Sequence, residues 1–278
     1  MKLKDPTLLR QQAFIGGEWS NADTGETADV VNPANGEHIA TVPMCGTAET
    51  ARSIAAAEVA QRAWGARPAK ERSLILRKLY ESMLANQDDL ALIMTTEQGK
   101  PLAESKGEIA YAASLIEWFA EEARRVYGDV IPATTGDRRV ITIKQPIGVT
   151  AAITPWNFPT AMLTRKAGPA LGAGCSMVVK PAMQTPLSAL AFADLADRAG
   201  LPKGSLSVLT GSAEMIGGAL TRSLPLKLSS LAFCQTHSAR LITRNIISVV
   251  YPKGRAADPL RRSPGDLNRL AVTSPSEN

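Results

Sequence analysis

Residues 148–180 have the sequence GVTAAITPWNFPTAMLTRKAGPALGAGCSMVVK. Two short apolar runs, residues 148–153 and 176–180, are rich in β-forming residues, and the second run ends at a proline. Residues 160–170 between them are typical of a helix and are followed by two glycines. A strand, a helix and a strand of these lengths predict two parallel strands joined by a crossover helix.

The same alternation continues toward the C-terminus. Residues 186–199 predict a second helix, and residues 206–209 predict a third strand. We therefore predict an α/β fold with a doubly wound parallel sheet of the Rossmann type. Ligands of such sheets bind beyond the carboxyl ends of the strands, so the loops that follow the three strands form the candidate site. These loops are residues 154–159, 180–183 and 210–212.

The region before this alternation predicts two hairpins and then three helices. Gly16-Gly17 and Asn35-Gly36 mark the hairpin turns, and we expect Thr47 to cap the first helix. Prolines and glycines delimit the helices. The predicted helices are residues 48–64, 68–98 and 101–127, and residues 140–143 alternate as a strand.

Composition narrows the class of protein. Hydrophobic residues make up 45% and charged residues 21% of the 278 residues, as in globular proteins. No apolar run is long enough to span a bilayer, and residues 1–6 lack the apolar region of a secretory signal. Three cysteines do not make a disulfide framework. We expect a cytoplasmic protein with no membrane partner and no metal site.

The net charge of +5 lies in residues 224–278, which contain eight Lys or Arg and three acidic residues. These charges are scattered, and only Arg261 and Arg262 are adjacent. Since the charges form no amphipathic pattern and no regular pattern with aromatic residues, we predict no nucleic-acid partner. Helix and strand periodicity is also lost after residue 223, so we expect residues 224–278 to be an irregular or disordered tail.

The loop Pro155-Trp156-Asn157-Phe158-Pro159 carries the clearest chemistry. Two prolines restrict the backbone around an aromatic side chain and an amide. A rigidly held Asn157 side chain is able to donate an N–H to a developing oxyanion, and Trp156 is able to form the wall of a flat cofactor site. The alternative interpretation is a capped turn with a core tryptophan.

Other motifs accompany this loop, and together they resemble the aldehyde dehydrogenase superfamily over residues 1–223. They are Glu97-Gln98-Gly99-Lys100-Pro101, Lys144-Gln145-Pro146-Ile147-Gly148-Val149, Ala167-Gly168-Pro169-Ala170-Leu171 and Lys180-Pro181-Ala182. Residues 32–36, 107–114 and 116–122 look most like bacterial members that oxidise succinate semialdehyde with NADP. The resemblance implies a small aldehyde substrate, NADP or NAD as cofactor, a role in 4-aminobutyrate degradation and a homo-oligomer, with residues 128–145 in the oligomerisation sheet.

The resemblance also implies roles for individual residues. Asn157 is the expected oxyanion donor and lines the cofactor site with Trp156. Lys180 is expected to hydrogen-bond the adenosine ribose or the 2′-phosphate, and the alternative is a solvated lysine at a strand end. The remaining expected cofactor contacts are Pro181, Ala182, Met183, Gly211 and Ser212, with the two last residues on the adenine side.

Two positions leave alternatives open. Arg165 is expected to hold the substrate carboxylate, and the alternative is an exposed helix arginine. Met183 departs from the family pattern, which has an acidic residue in NAD-preferring relatives and a small hydroxyl residue in NADP-preferring ones. Methionine has neither a carboxylate nor a hydroxyl group, so the preference between NAD and NADP stays open.

The nucleophilic Cys and the base Glu of the family reaction are expected in Gly-Gln-x-Cys and Glu-Leu-Gly-Gly segments, which these 278 residues lack. Cys45 and Cys175 match no family nucleophile, and we interpret Cys234, near His237, as an incidental residue of the tail. A frameshift, rearrangement or contig junction near residues 223–228 is the hypothesis that accounts for the abrupt end of the resemblance.

Three functional interpretations follow. The first is an inactive N-terminal, cofactor-binding part of a succinate-semialdehyde dehydrogenase, spanning residues 1–223. The second is a non-catalytic module that binds nucleotide or assembles with a full-length subunit. The third is an unstable pseudogene product.

Overall fold

The computed structural model of the chain describes residues 1–223 and, as a strand, residues 226–231. The strands are β1 (Ala13–Ile15), β2 (Glu18–Ser20), β3 (Thr27–Val31), β4 (His38–Pro43), β5 (Asp129–Ile131), β6 (Val140–Thr142), β7 (Val149–Ile153), β8 (Ser176–Lys180), β9 (Leu206–Val208) and β10 (Leu226–Leu231). The α-helices are α1 (Thr47–Ala66), α2 (Ala69–Ala85), α3 (Gln87–Gln98), α4 (Leu102–Glu122), α5 (Pro159–Gly172), α6 (Leu187–Arg198) and α7 (Ala213–Arg222). Short 3₁₀ helices lie at Pro6–Leu8 and Ala123–Arg125.

The central sheet has six strands in the order β10-β7-β8-β9-β1-β2. The first four are parallel, and the β1–β2 hairpin adds two antiparallel strands beside β9. The α/β fold is therefore confirmed, but the sheet is mixed rather than wholly parallel. The predicted turn at Gly16 and Gly17 joins the two antiparallel strands, and both glycines have positive φ angles, 62° and 93°.

Helices cover both faces of the parallel strands, as a doubly wound sheet requires. Successive side chains of β8 point to opposite faces. Met177 and Val179 enter the larger core, which packs against α2 to α6, whereas Val178 enters the smaller core with residues of α1 and α7. The largely apolar strand sequences that predicted this sheet are thus explained by burial on two sides.

Helix boundaries differ from the prediction at two places. The predicted helix over residues 68–98 is two helices, because the backbone of Asn86 (φ −106°, ψ 18°) leaves the helical conformation between α2 and α3. Thr47 is the first residue of α1 rather than its cap. Gly46 is the capping residue, and its N–H donates to Glu49 Oε2 at 2.9 Å.

Residues 226–231 lie within the segment for which the sequence predicts an irregular tail. They form β10, which pairs in parallel with β7 and places Leu226 opposite Val149. A strand beside β7 satisfies backbone groups of the sheet that would otherwise lie at an open edge. The expectation for residues 232–278 lies outside the described residues.

Two smaller hairpins lie outside the central sheet. The predicted hairpin around Asn35-Gly36 is confirmed as β3 paired with β4. The second hairpin pairs β5 with β6 and exposes large apolar side chains, among them Val130 (75% exposed) and Ile141 (65% exposed). None of the helices in the described part of the chain is long and apolar enough to cross a membrane.

Trp64 links α1 to the sheet-covering helix α5. The side chain is fully buried, and its Nε1 donates to the Leu171 carbonyl at 3.0 Å. We expect Trp64→Phe to lower the free energy of unfolding by about 2 kcal/mol, because it removes this buried hydrogen bond and leaves a gap beside the smaller ring in a fully buried position. Urea unfolding measures the change. Trp118→Phe is the matched control, since Trp118 is 62% exposed, and equal losses in both variants would contradict the expectation.

Candidate functional site

The candidate site lies at the carboxyl edge of β7, β8 and β9. Backbone bonds join the loops there: Thr154 N donates to the Lys180 carbonyl at 3.0 Å, and Leu209 N donates to the Val179 carbonyl at 2.8 Å. The loops that follow the three strands therefore leave the sheet side by side. The predicted convergence of residues 154–159, 180–183 and 210–212 is what the structure shows.

Lys180 is the last residue of β8 and is only 3% exposed. The interpretation of Lys180 as a solvated lysine at a strand end is therefore wrong. Burying an ammonium group has a large desolvation cost, so this position needs polar or anionic surroundings. Pro181 is buried and Ala182 is half-buried behind it.

Met183 connects two of the loops. Its Sδ accepts the Gly211 N–H at 3.0 Å, and the side chain packs partly against the larger core. Gly211 has a φ of 142°, and a Cβ there would lie 2.2 Å from the Cys45 carbonyl oxygen. Glycine is thus required by the chain's own backbone, a reason different from the expected approach of an adenine ring.

Ser212 caps α7, because its Oγ accepts the Met215 N–H at 3.3 Å. The N-terminus of α7 therefore lies at the same edge as Lys180. Helix N-termini favour anions, as an ammonium group does.

The side chains of Trp156, Asn157 and Phe158 are exposed, with Trp156 at 49%. The interpretation of Trp156 as a core residue is therefore wrong. The loop is nevertheless anchored to the rest of the protein by Lys100. The Lys100 Nζ donates to the Asn157 carbonyl at 3.0 Å and lies 4.4 Å from the Phe158 ring centroid. The Asn157 backbone is anchored while its side chain faces solvent.

Arg165 lies on α5 and contacts Tyr111 of α4. Its guanidinium donates to the Tyr111 hydroxyl and lies 5.8 Å from the centroid of that ring. Both side chains are exposed, and Arg165 forms no ion pair with a carboxylate of the described residues. Nothing in the structure tests the expected substrate contact of Arg165. Tyr111 was missed by the sequence analysis, which used it only as part of the family likeness.

Neither described cysteine has the features of a nucleophile. Burial raises the pKa of Cys45 to about 12, with a smaller contribution from Glu49, and burial also raises the pKa of Cys175. A thiol needs a lowered pKa to attack at neutral pH. Cys234 and His237 lie outside the described residues. No cluster of potential metal ligands occurs in residues 1–223 and 226–231.

Glu97 is a site residue without a role assigned from the sequence. Its carboxylate is 2% exposed and accepts the backbone N–H groups of Leu187 and Ser188 at 2.7 and 2.8 Å. These are the first residues of α6, whose capping residue Pro186 supplies no side-chain bond. Glu97 therefore anchors the helix that follows the Lys180 loop. Burial raises the pKa of Glu97 to about 7, and the nearby charge of Glu108 acts in the same direction.

A sequence profile described as "Aldehyde dehydrogenase family" matches residues 19–232. The chain belongs to the aldehyde dehydrogenase family. The match includes all of β10, so the likeness to aldehyde dehydrogenases extends beyond residue 223, where the sequence analysis ended it.

Individual aldehyde dehydrogenases are closely similar to this chain. Glutarate-semialdehyde dehydrogenase of Pseudomonas putida is 68% identical over 230 residues, covering 82% of this chain and 48% of that protein. Succinate-semialdehyde dehydrogenase [NADP(+)] GabD of Escherichia coli is 63% identical, covering 80% and 46%. The crystal structure of succinate-semialdehyde dehydrogenase from Burkholderia pseudomallei superposes with a TM-score of 0.81 at 59% identity, covering 82% and 48%. The chain spans about half the length of these relatives.

The raised pKa of Glu97 predicts a pH dependence of stability. The folded state holds this proton between about pH 4.5 and about pH 7 and the unfolded state does not, so the contribution of Glu97 to stability is present at low pH and is lost as the pH rises. We expect the unfolding free energy of the wild type, minus that of Glu97→Gln, to fall by up to about 3 kcal/mol across this window.

Urea unfolding at a series of pH values measures this difference. Glu104→Gln is the matched control, because Glu104 is exposed in the first turn of α4. A difference for Glu97 that grows with pH would show that the hydrogen bonds from α6 outweigh burial.

Proposed function

We propose that this chain binds NADP or NAD at the carboxyl edge of β7, β8 and β9, as the cofactor-binding part of a dehydrogenase for semialdehydes that carry a carboxylate. The observation that supports it best is the nearly buried Lys180 ammonium beside the capped N-terminus of α7. Both groups favour phosphate and ribose oxygens, so the donor set fits a dinucleotide. The name of the Escherichia coli relative includes NADP(+).

We assign roles along the cofactor. Lys180 hydrogen-bonds the adenosine ribose or a 2′-phosphate, and residues 181–183 line the same end. Gly211 and Ser212 approach the adenine side, where Ser212 already caps α7. Trp156 provides a flat wall, which its exposure permits. In a complete dehydrogenase, the cofactor would supply the hydride acceptor for aldehyde oxidation.

The substrate class rests on a shared chemical feature of the relatives. Glutarate semialdehyde and succinate semialdehyde each carry a carboxylate at the end opposite the aldehyde. We propose that Arg165, with the Tyr111 hydroxyl on its guanidinium, takes this carboxylate. The Asn157 side-chain N–H would then stabilise the aldehyde oxygen as negative charge develops on it.

We propose binding without turnover for these 278 residues. The sequence contains neither Gly-Gln-x-Cys nor Glu-Leu-Gly-Gly, and the two cysteines of the described residues have raised pKa values. A buried, protonated thiol does not attack an aldehyde. Formation of reduced cofactor from succinate semialdehyde by the purified chain would contradict this part of the proposal.

Calorimetric titration of the chain with NADP and with NAD tests cofactor binding. We expect saturable binding, and we expect Lys180→Met to weaken NADP binding by about tenfold or more, because a charge-assisted hydrogen bond is lost. NAD binding should weaken less if Lys180 contacts the 2′-phosphate.

The matched control for Lys180 is Lys203→Met. Lys203 is exposed and pairs with Glu18 at 3.6 Å on the surface of the protein. Equal affinities of wild type and Lys180→Met, with both folded by circular dichroism, would contradict the assignment. Loss of cooperative unfolding in the wild type would favour an unstable product instead.

The β5–β6 hairpin supports a second function, subunit assembly. Val130, Ile141 and Ile143 expose between 65% and 75% of their surfaces, and this arm packs mainly on itself. A contiguous apolar surface of this kind marks an interaction site. We propose that residues 128–145 pair with the corresponding arm of another subunit, either a second copy or a full-length relative.

Sedimentation at a series of concentrations tests the assembly proposal. We expect the wild-type chain to associate and Ile141→Lys to shift it to monomers, because a charge would be buried in the contact. Val59→Lys is the matched control, since Val59 is 75% exposed on α1, outside the arm. A wild-type chain that stays monomeric at every concentration would contradict the proposal.

A further inference from the structure

Lys100 and Glu108 form an ion pair beneath the loop that carries Asn157. Lys100 Nζ lies 2.6 Å from Glu108 Oε2, and the two side chains are 10% and 2% exposed. Most ion pairs of the described residues lie on the surface, such as that between Arg77 and Glu117. A buried ion pair has a desolvation cost that an exposed pair does not have, so further contacts are needed to offset that cost.

Glu108 uses its second oxygen to cap α5. Its Oε1 accepts the N–H groups of Thr160 and Ala161, each at 3.0 Å. The residue at the capping position, Phe158, has no side-chain acceptor, and the helix begins at Pro159. A carboxylate on α4 therefore supplies the cap that the local sequence lacks, and it does so where the helix dipole favours negative charge.

Lys100 uses its remaining donors on the loop itself. Its Nζ donates to the Asn157 carbonyl at 3.0 Å and lies over the face of the Phe158 ring, 4.4 Å from the ring centroid. These contacts restrict the backbone of Asn157 and the orientation of the next residue. The Asn157 side chain and the Trp156 ring are left exposed at the carboxyl edge of the sheet.

We propose that Lys100 and Glu108 are positioning residues for the ligand-facing groups of the 154–158 loop. Glu108 fixes the start of α5, and Lys100 fixes the peptide of Asn157 relative to it. The inference rests on the proposed function, in which Asn157 and Trp156 contact the nicotinamide end of the cofactor and its substrate. It assigns to Lys100 and Glu108 a role at the nicotinamide end of the cofactor and not at the adenosine end.

Two probes separate the ends of the cofactor. NADP reaches from the Lys180 loop to the Trp156 loop, whereas 2′,5′-ADP contains only the adenosine end and reports on Lys180. We expect Lys100→Met to weaken NADP binding by about tenfold, the size of one lost charge-assisted hydrogen bond. Binding of 2′,5′-ADP should stay within about twofold of the wild type, and Lys100→Arg should restore most of the NADP affinity.

Control variants distinguish positioning from stability. The double variant Lys100→Met/Glu108→Gln leaves no unpaired buried charge and is the second test if the single variant does not fold. Arg77→Met removes an exposed ion pair between α2 and Glu117 of α4 and should change neither affinity. Circular dichroism and urea unfolding of each variant show whether it is folded.

The outcomes are distinct. Selective loss of NADP affinity supports the inference. Unchanged NADP affinity in folded variants overturns it, and so does an equal loss of both probes, which would indicate a general structural role. A wild-type chain that binds neither probe overturns the proposed function first, and this inference with it.

Discussion

The two helices beside the candidate site, α5 and α6, depend on carboxylates from elsewhere in the chain. Their capping residues, Phe158 and Pro186, provide no side-chain acceptor, although the first N–H groups of a helix need one. Glu108 and Glu97 supply the acceptors from α4 and α3. Because each helix follows one of the loops at the carboxyl edge, these two contacts set where both loops lie.

Burial of the two carboxylates makes this arrangement sensitive to charge. Glu108 has Lys100 as a close counter-ion, whereas Glu97 is held only by N–H and hydroxyl donors, and its pKa rises to about 7. The 154–158 loop is therefore held through an ion pair, and the 180–183 loop through a carboxyl group whose pKa lies at about 7. No cation of the described residues contacts Glu97, and its burial raises the pKa in spite of the hydrogen bonds from α6.

Much of the fold could be predicted from local patterns. Strands β7 and β8 and helices α5 and α6 were found within a few residues, because apolar runs and proline or glycine boundaries are local signals. The break at Asn86 was missed, since the helical pattern continues across it and only the backbone conformation of Asn86 separates α2 from α3. β10 was missed because a strand in an otherwise aperiodic region is recognisable only when its partner, β7, is known.

The candidate site, like the fold, could be predicted from the sequence only in part. The sequence by itself determined the family, the α/β fold and the residues of the three loops, because these are carried by contiguous motifs. Only the tertiary structure decided that Lys180 is buried, that Trp156 is exposed and that Gly211 is required by the Cys45 carbonyl. It alone assigned Glu97, Lys100 and Glu108 to the loops they hold, because those contacts join residues that lie 52 to 91 positions apart in the chain. Contacts at such separations leave no periodic or spacing signal in the sequence.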